Sequence, residues 1–152
     1  MKERVGLSYY ITIFVLFFYQ LLCSITFFLP PLLGVFFVFL IIHFKKSGFD
    51  KTSLLIILYL CLIEITHGLV LFSTTIAFLI FFYYFYDKLI YKLKNRDILI
   101  SIFIIFVYFI DIFLNLLFSY LFELEVLKLS NIFIYYICLE SLLSIILFRG
   151  IV

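Results

Sequence analysis

The chain has 152 residues, 68% of them apolar and 13% charged, with a mean hydropathy of +1.36. Soluble domains are about 45–50% apolar, so a water-soluble fold would not hide this much apolar surface. The 11 basic and 9 acidic residues leave a net charge of +2 and gather in short clusters between apolar runs, a pattern that membrane topology explains without nucleic-acid binding.

The first apolar run, about residues 7–29, exceeds the length of a signal-peptide core, and no small-residue cleavage site follows it before Pro30 and Pro31. It reads as a retained transmembrane helix. The two prolines predict a tight turn, with Pro31 in the first turn of a second helix over about 31–44. Next comes an apolar stretch from Ser53 to Tyr86. As one helix of about 34 residues it would be roughly 50 Å long, against about 30 Å of bilayer hydrocarbon, so it must break. The break is placed at the polar cluster Glu64, Thr66, His67 and Gly68. This gives a third helix over 53–68 and a fourth over 73–87, meeting with almost no loop between Leu69 and Thr75. A fifth helix over 97–120 and a sixth over 129–148 follow. The predicted fold is all-α: a polytopic integral membrane protein, a single domain over 1–152, built as a compact six-helix transmembrane bundle with short loops. The second to fourth helices are shorter than the usual ~20 residues, and the two hairpin tips are expected at the membrane surface.

Basic residues orient such a bundle, because short loops rich in Lys and Arg stay in the cytoplasm. A cytoplasmic N-terminus places Lys2, Arg4, Lys45, Lys46, Lys51, Lys88, Lys92, Lys94, Arg96 and Arg149 inside. Only Lys128 is left outside, in a loop with Glu123 and Glu125. The expected topology is N-in and C-in. Between Asp87 and Asp97, Lys88, Lys92, Lys94 and Arg96 alternate with Leu89, Ile90, Tyr91 and Leu93. This basic surface is expected to continue the fourth helix along the cytoplasmic face and to touch anionic lipid; a docking surface for a cytoplasmic partner is the alternative.

Three acids fall within predicted spans, Glu64, Asp111 and Glu140, with no Lys or Arg at comparable depth. Ionisable residues are costly in hydrocarbon and mark functional or packing sites. Helical spacing aligns Cys61, Glu64 and Gly68, with His67 one turn from Glu64. It also aligns Tyr108, Asp111 and Asn115, roughly continued by Ser101 and Ser119, and separately Tyr136, Glu140 and Ser144. Such stripes are expected to face other helices through close packing and interhelical hydrogen bonds, with a position near the inner surface as the alternative for Glu140. For Glu64 with His67 three roles are open: a hydrogen-bonded joint, a proton or ligand site, or a metal site without an evident third ligand. Cys23, Cys61 and Cys138 read as packing residues. There is no cysteine or histidine cluster, glycine-rich phosphate loop or Ser-His-Asp spacing, and no extramembrane domain to hold one. No catalytic residue, cofactor or metal is therefore expected.

The stretch Glu64-Ile65-Thr66-His67-Gly68-Leu69-Val70-Leu71-Phe72-Ser73 resembles the central motif of the rod shape-determining protein MreD family. In that family an acid near the end of a span is followed four positions later by Gly, then by a Pro-Leu-Gly-like turn. Glu64 matches the acid, Gly68 the glycine and Leu71 the leucine; Glu replaces the commoner Asp, Val70 stands where Pro is usual and Phe72 where a second Gly is usual. Chain length, compact spans and tiny loops are also similar. The resemblance implies a non-enzymatic scaffold in the bacterial cytoplasmic (inner) membrane, part of the cell-elongation machinery of rod shape and peptidoglycan synthesis. It would dock a single-span MreC-type protein and, through it, MreB and wall synthases of the RodA and penicillin-binding classes.

Two rival readings have the same architecture. A substrate-binding subunit of an energy-coupling-factor vitamin transporter needs a polar pocket, which Glu64, His67, Asp111 and Asn115 are placed to line, but the chain lacks Trp and has few polar residues in its outer loops. A small proton-coupled transporter would use Glu64 or Asp111, although no inverted repeat is apparent.

Overall fold

A computed structural model describes residues 2–26, 28–93, 95–122 and 132–148, with side chains in the first helix from Phe14 onward. These residues form α1 (Lys2–Ile25), α2 (Leu33–Ser47), α3 (Lys51–Thr66), α4 (Ser73–Ile80), α5 (Tyr86–Lys92), α6 (Arg96–Phe122) and α7 (Ile132–Phe148). A π-helical turn, Phe81–Phe85, joins α4 to α5. The described residues are thus all-helical apart from their turns, and α4, the π turn and α5 form one rod roughly 30 Å long. The predicted fourth helix therefore runs on past residue 87 to Lys92.

The π turn has a packing cause. Phe81 and Tyr86 are the buried residues of this stretch, and at five positions apart they would face different ways on an α-helix. The wider turn, closed by the Tyr86 N–H on the Phe81 carbonyl, brings both onto the core side. There Phe81 packs edge-on against Phe37 and Phe103.

Each turn has its own chemistry. The prolines do make the α1–α2 turn, with Tyr19 and Cys23 donating to the Pro30 carbonyl. Pro31, however, lies outside α2: Leu32 is the N-cap at φ 62°, and a left-handed residue interrupts the right-handed path, so the helix starts at Leu33. α3 starts where the Asp50 carboxylate accepts from the Ser53 N–H at 2.9 Å. It ends in a Schellman motif, with the Leu69 N–H on the Glu64 carbonyl, the Gly68 N–H on the Ile65 carbonyl and Gly68 at φ 67°.

α2 is the central element. Leu33, Gly34, Val35, Phe37, Val38, Leu40 and Ile41 are all buried, covering most of the helix, and it packs on α3, α4, α6 and α7. α6 and α7 pair closely, while α1 lies at the edge against α3. Both hairpin tips meet α6 and α7 partway along their length rather than at their ends. Asn115, which holds the α3–α4 tip, lies two turns before Phe122, roughly 10 Å from the end of α6. By length and composition α6 is long and apolar enough to cross a membrane, with a mean hydropathy of 2.5 over its best stretch.

Candidate functional site

A helix opens with backbone N–H groups that have no partner inside the helix, and α4 opens inside the protein. Its N-cap, Phe72 at φ 66°, has no side-chain oxygen to offer. Glu64, fully buried on α3, does that work. Its Oε2 accepts from the Phe72 N–H at 2.7 Å, and its Oε1 from the Thr74 N–H at 2.7 Å, the Thr74 hydroxyl at 2.7 Å and the Ser73 hydroxyl at 3.0 Å. A carboxylate at a helix N-terminus is also favoured by the helix dipole.

α6 grips the same turn from the other side. Asn115 Oδ1 accepts from the Val70 N–H at 2.7 Å, while its Nδ2 donates to the Asp111 carbonyl at 2.8 Å. The Asp111 carboxyl lies against the Ser73 hydroxyl, so Ser73 Oγ sits between two acids. A hydroxyl has one hydrogen to give, so the second must come from a carboxyl. Three other donors already converge on Glu64, which leaves Asp111 the better placed of the two acids to carry the proton.

Glu140 repeats the arrangement at the other hairpin. Fully buried on α7, it accepts from the Gly34 N–H at 2.5 Å through Oε2 and from the Tyr108 hydroxyl at 2.8 Å through Oε1. It thereby closes the N-terminus of α2, whose N-cap Leu32 offers no side-chain bond. Gly34 leaves room for it: a Cβ there would lie 2.8 Å from Glu140 Oε2 and 2.8 Å from Ile104 Cγ2. Glu140 thus meets the end of α2 opposite Lys45 and Lys46.

Of the predicted site residues, Glu64, Gly68, Asp111 and Asn115 come together at the α3–α4 turn, and Glu140 forms the second joint. His67 does not pair with Glu64. It is the C-cap of α3, and its Nε2 is buried without a hydrogen-bond partner. A metal shared by the two finds no support in this geometry, since the Glu64 oxygens face N–H and O–H donors instead of open space. Gly68 leaves the Cys61–Glu64 stripe and is exposed. Cys23 and Cys61 are buried as packing residues, whereas Cys138 is exposed on α7.

On the basic surface Lys88, Lys92 and Arg96 are exposed; Lys94 lies outside the described residues, as do Glu123, Glu125, Lys128 and Arg149. Lys45 reaches the same region, its Nζ 5.0 Å from the centre of the Tyr86 ring.

Sequence reasoning missed Ser73, Thr74 and Gly34 as partners of the acids. Ser73 and Thr74 carried a signal, adjacent hydroxyls at the head of an apolar run. Gln20 was missed as well. It is fully buried on α1 and donates to the Thr66 hydroxyl at 2.7 Å, tying α1 to the end of α3.

Compared with family models, with curated proteins and with solved structures, the chain gives no match in any of the three.

Proposed function

We propose that this chain is a multi-pass protein of the bacterial cytoplasmic membrane, N-in and C-in, serving as a non-enzymatic scaffold of the cell-elongation machinery. On this reading it docks an MreC-type single-span protein and acts through it on MreB and the RodA and penicillin-binding wall synthases. Membrane residence is supported by the hydropathy of α6 and by large apolar side chains exposed along the helices, among them Phe18, Leu58, Phe109, Phe113 and Ile146.

The observation that carries the scaffold reading is the use of Glu64. Its two oxygens take four hydrogen bonds at the start of α4, and the glycine four positions on closes α3 at positive φ. The acid-to-glycine spacing of the MreD-like motif thus has a complete structural purpose, to hold a hairpin turn in fixed shape. A vitamin-binding subunit would need these polar groups free to meet a ligand, and a proton carrier would need Glu64 to exchange its partners each cycle.

The test is co-purification of the full chain with an MreC-type protein from membranes in mild detergent. Recovery of a stoichiometric complex is expected. Its absence, together with a tightly held small polar molecule, overturns the proposal in favour of the transporter reading. Glu64→Gln, whose amide oxygen keeps the Oε1 bonds, is expected to retain the complex, whereas a proton carrier would lose function.

A further inference from the structure

An apolar groove runs along the bundle between Leu16 and Phe17 of α1, Phe36 and Phe39 of α2, and the face of α3 from Thr52 to Leu62. Phe17 and Leu58 are exposed and form its open rim. We infer that this groove binds one acyl chain of an anionic phospholipid from the cytoplasmic leaflet, with the headgroup at the α2–α3 turn; the inference rests on the membrane topology proposed above.

Size selects the occupant. From Thr52 to Leu62 the groove is roughly 15 Å long, about half the hydrocarbon thickness of a bilayer, which is the depth of one leaflet. Below its open rim the groove holds a cavity of about 270 Å³ over that length, a slot that a helix about 10 Å wide cannot enter whole. A partner's membrane-spanning helix would rest on the rim without filling the slot and would have to cross the whole bilayer. A single extended hydrocarbon chain fits both dimensions.

Charge selects the headgroup. The groove ends at Thr52, next to exposed Lys51, and the last turn of α2 carries exposed Lys46. Lys45 is engaged with Tyr86 and points elsewhere. The acid of this turn, Asp50, is already engaged by the Ser53 N–H and the His43 ring. Higher in the groove the Tyr59 hydroxyl is already bonded to the Leu16 carbonyl, which leaves the upper part without a free polar group from Tyr59 and suited to methylenes. A phosphate at Lys51 and Lys46, with its chain lying toward Leu62, matches this polarity.

The experiment is native mass spectrometry of the full chain released from mild detergent, titrated with phosphatidylglycerol and with phosphatidylcholine of the same acyl chains. One phosphatidylglycerol per chain is expected, held about fivefold or more tightly than phosphatidylcholine. Leu58→Trp, at the exposed rim, fills the groove and is expected to cut retention of both lipids about tenfold with an unchanged melting temperature. Should that variant melt early, Phe17→Trp on the opposite rim takes its place. Lys51→Gln is expected to remove the preference while keeping the chain bound. Equal affinity for the two lipids, or full retention by the groove-filling variant, overturns the inference. A chain that washes off membranes at alkaline pH overturns the membrane reading itself, whereas an integral chain that holds no lipid overturns only the groove site.

Discussion

Glu64 and Glu140 do the same work at the two hairpins: each buried carboxylate closes the N-terminus of a helix whose N-cap is a left-handed apolar residue, Phe72 before α4 and Leu32 before α2. Removing either acid leaves buried N–H groups unpaired, at about 1–3 kcal/mol each. Glu64→Ala is therefore expected to be the most destabilising single change at the α3–α4 turn, by about 3 kcal/mol or more. Glu64→Gln is milder, because its amide N–H₂ confronts only the Phe72 N–H. Melting of the purified chain in detergent checks this order, and an alanine variant that melts like the parent would remove the capping role.

Asp111 should respond differently. Its carboxyl lies against the Ser73 hydroxyl and, by the proton count at that hydroxyl, is the better placed acid to hold the shared proton; an amide at this position can likewise give a hydrogen. Asp111→Asn is expected to cost less than 1 kcal/mol, against about 1–3 kcal/mol for Glu64→Gln. Paired melts of the two variants decide it: if Asp111→Asn proves the worse, the proton sits on Glu64.

Where the helices lie was readable because charges and prolines punctuate apolar runs, and Glu64 with Gly68 was readable as a joint because an acid has few affordable places in such a run. The partners of the acids were not readable. Glu140 meets an N–H 106 positions away, a pairing that local periodicity does not contain. Leu32 and Phe72 at positive φ were equally hidden, since bulky apolar residues carry no left-handed signal. Each precedes a helix start that a carboxylate from another helix closes, Glu64 of α3 for Phe72 and Glu140 of α7 for Leu32, so they are tertiary in origin. The helix past residue 87 was foreshadowed by the spacing of Lys88 and Lys92, but the π turn before it reflects the packing of Phe81 and Tyr86.

Gly34 and Gly68 separate space from conformation. Gly34→Ala puts a methyl group 2.8 Å from Glu140 Oε2 and from Ile104, in a wall of buried side chains that cannot yield without moving the cap. At Gly68 a Cβ meets nothing within 4 Å, and the cost is that of the left-handed backbone alone, about 1–2 kcal/mol. Gly34→Ala is expected to exceed it, at about 2–3 kcal/mol or more, and to weaken the Tyr108–Glu140 contact. Melting temperatures rank the two, and amide exchange at residues 34 and 35 shows whether the start of α2 has opened.

Asp50 gives the α2–α3 turn a defined response to acid. The Ser53 N–H is the main cause that holds its carboxyl below the ordinary value of 3.8, with the His43 ring at 2.9 Å adding to it. The folded chain therefore favours the charged carboxylate, and the stabilisation is fully present above the unfolded-state value. It is lost only as the pH falls below about 3.8 and through the lower folded value. Protection of the Ser53 amide, its exchange rate relative to a free peptide at the same pH, is expected to be constant at higher pH and to fall below pH 4. Asp50→Asn keeps an acceptor for that N–H and should abolish the acid step, whereas Asp50→Ala should speed exchange at every pH. A change in that protection between about pH 5 and 8, the ordinary histidine range, would overturn the assignment to the carboxylate.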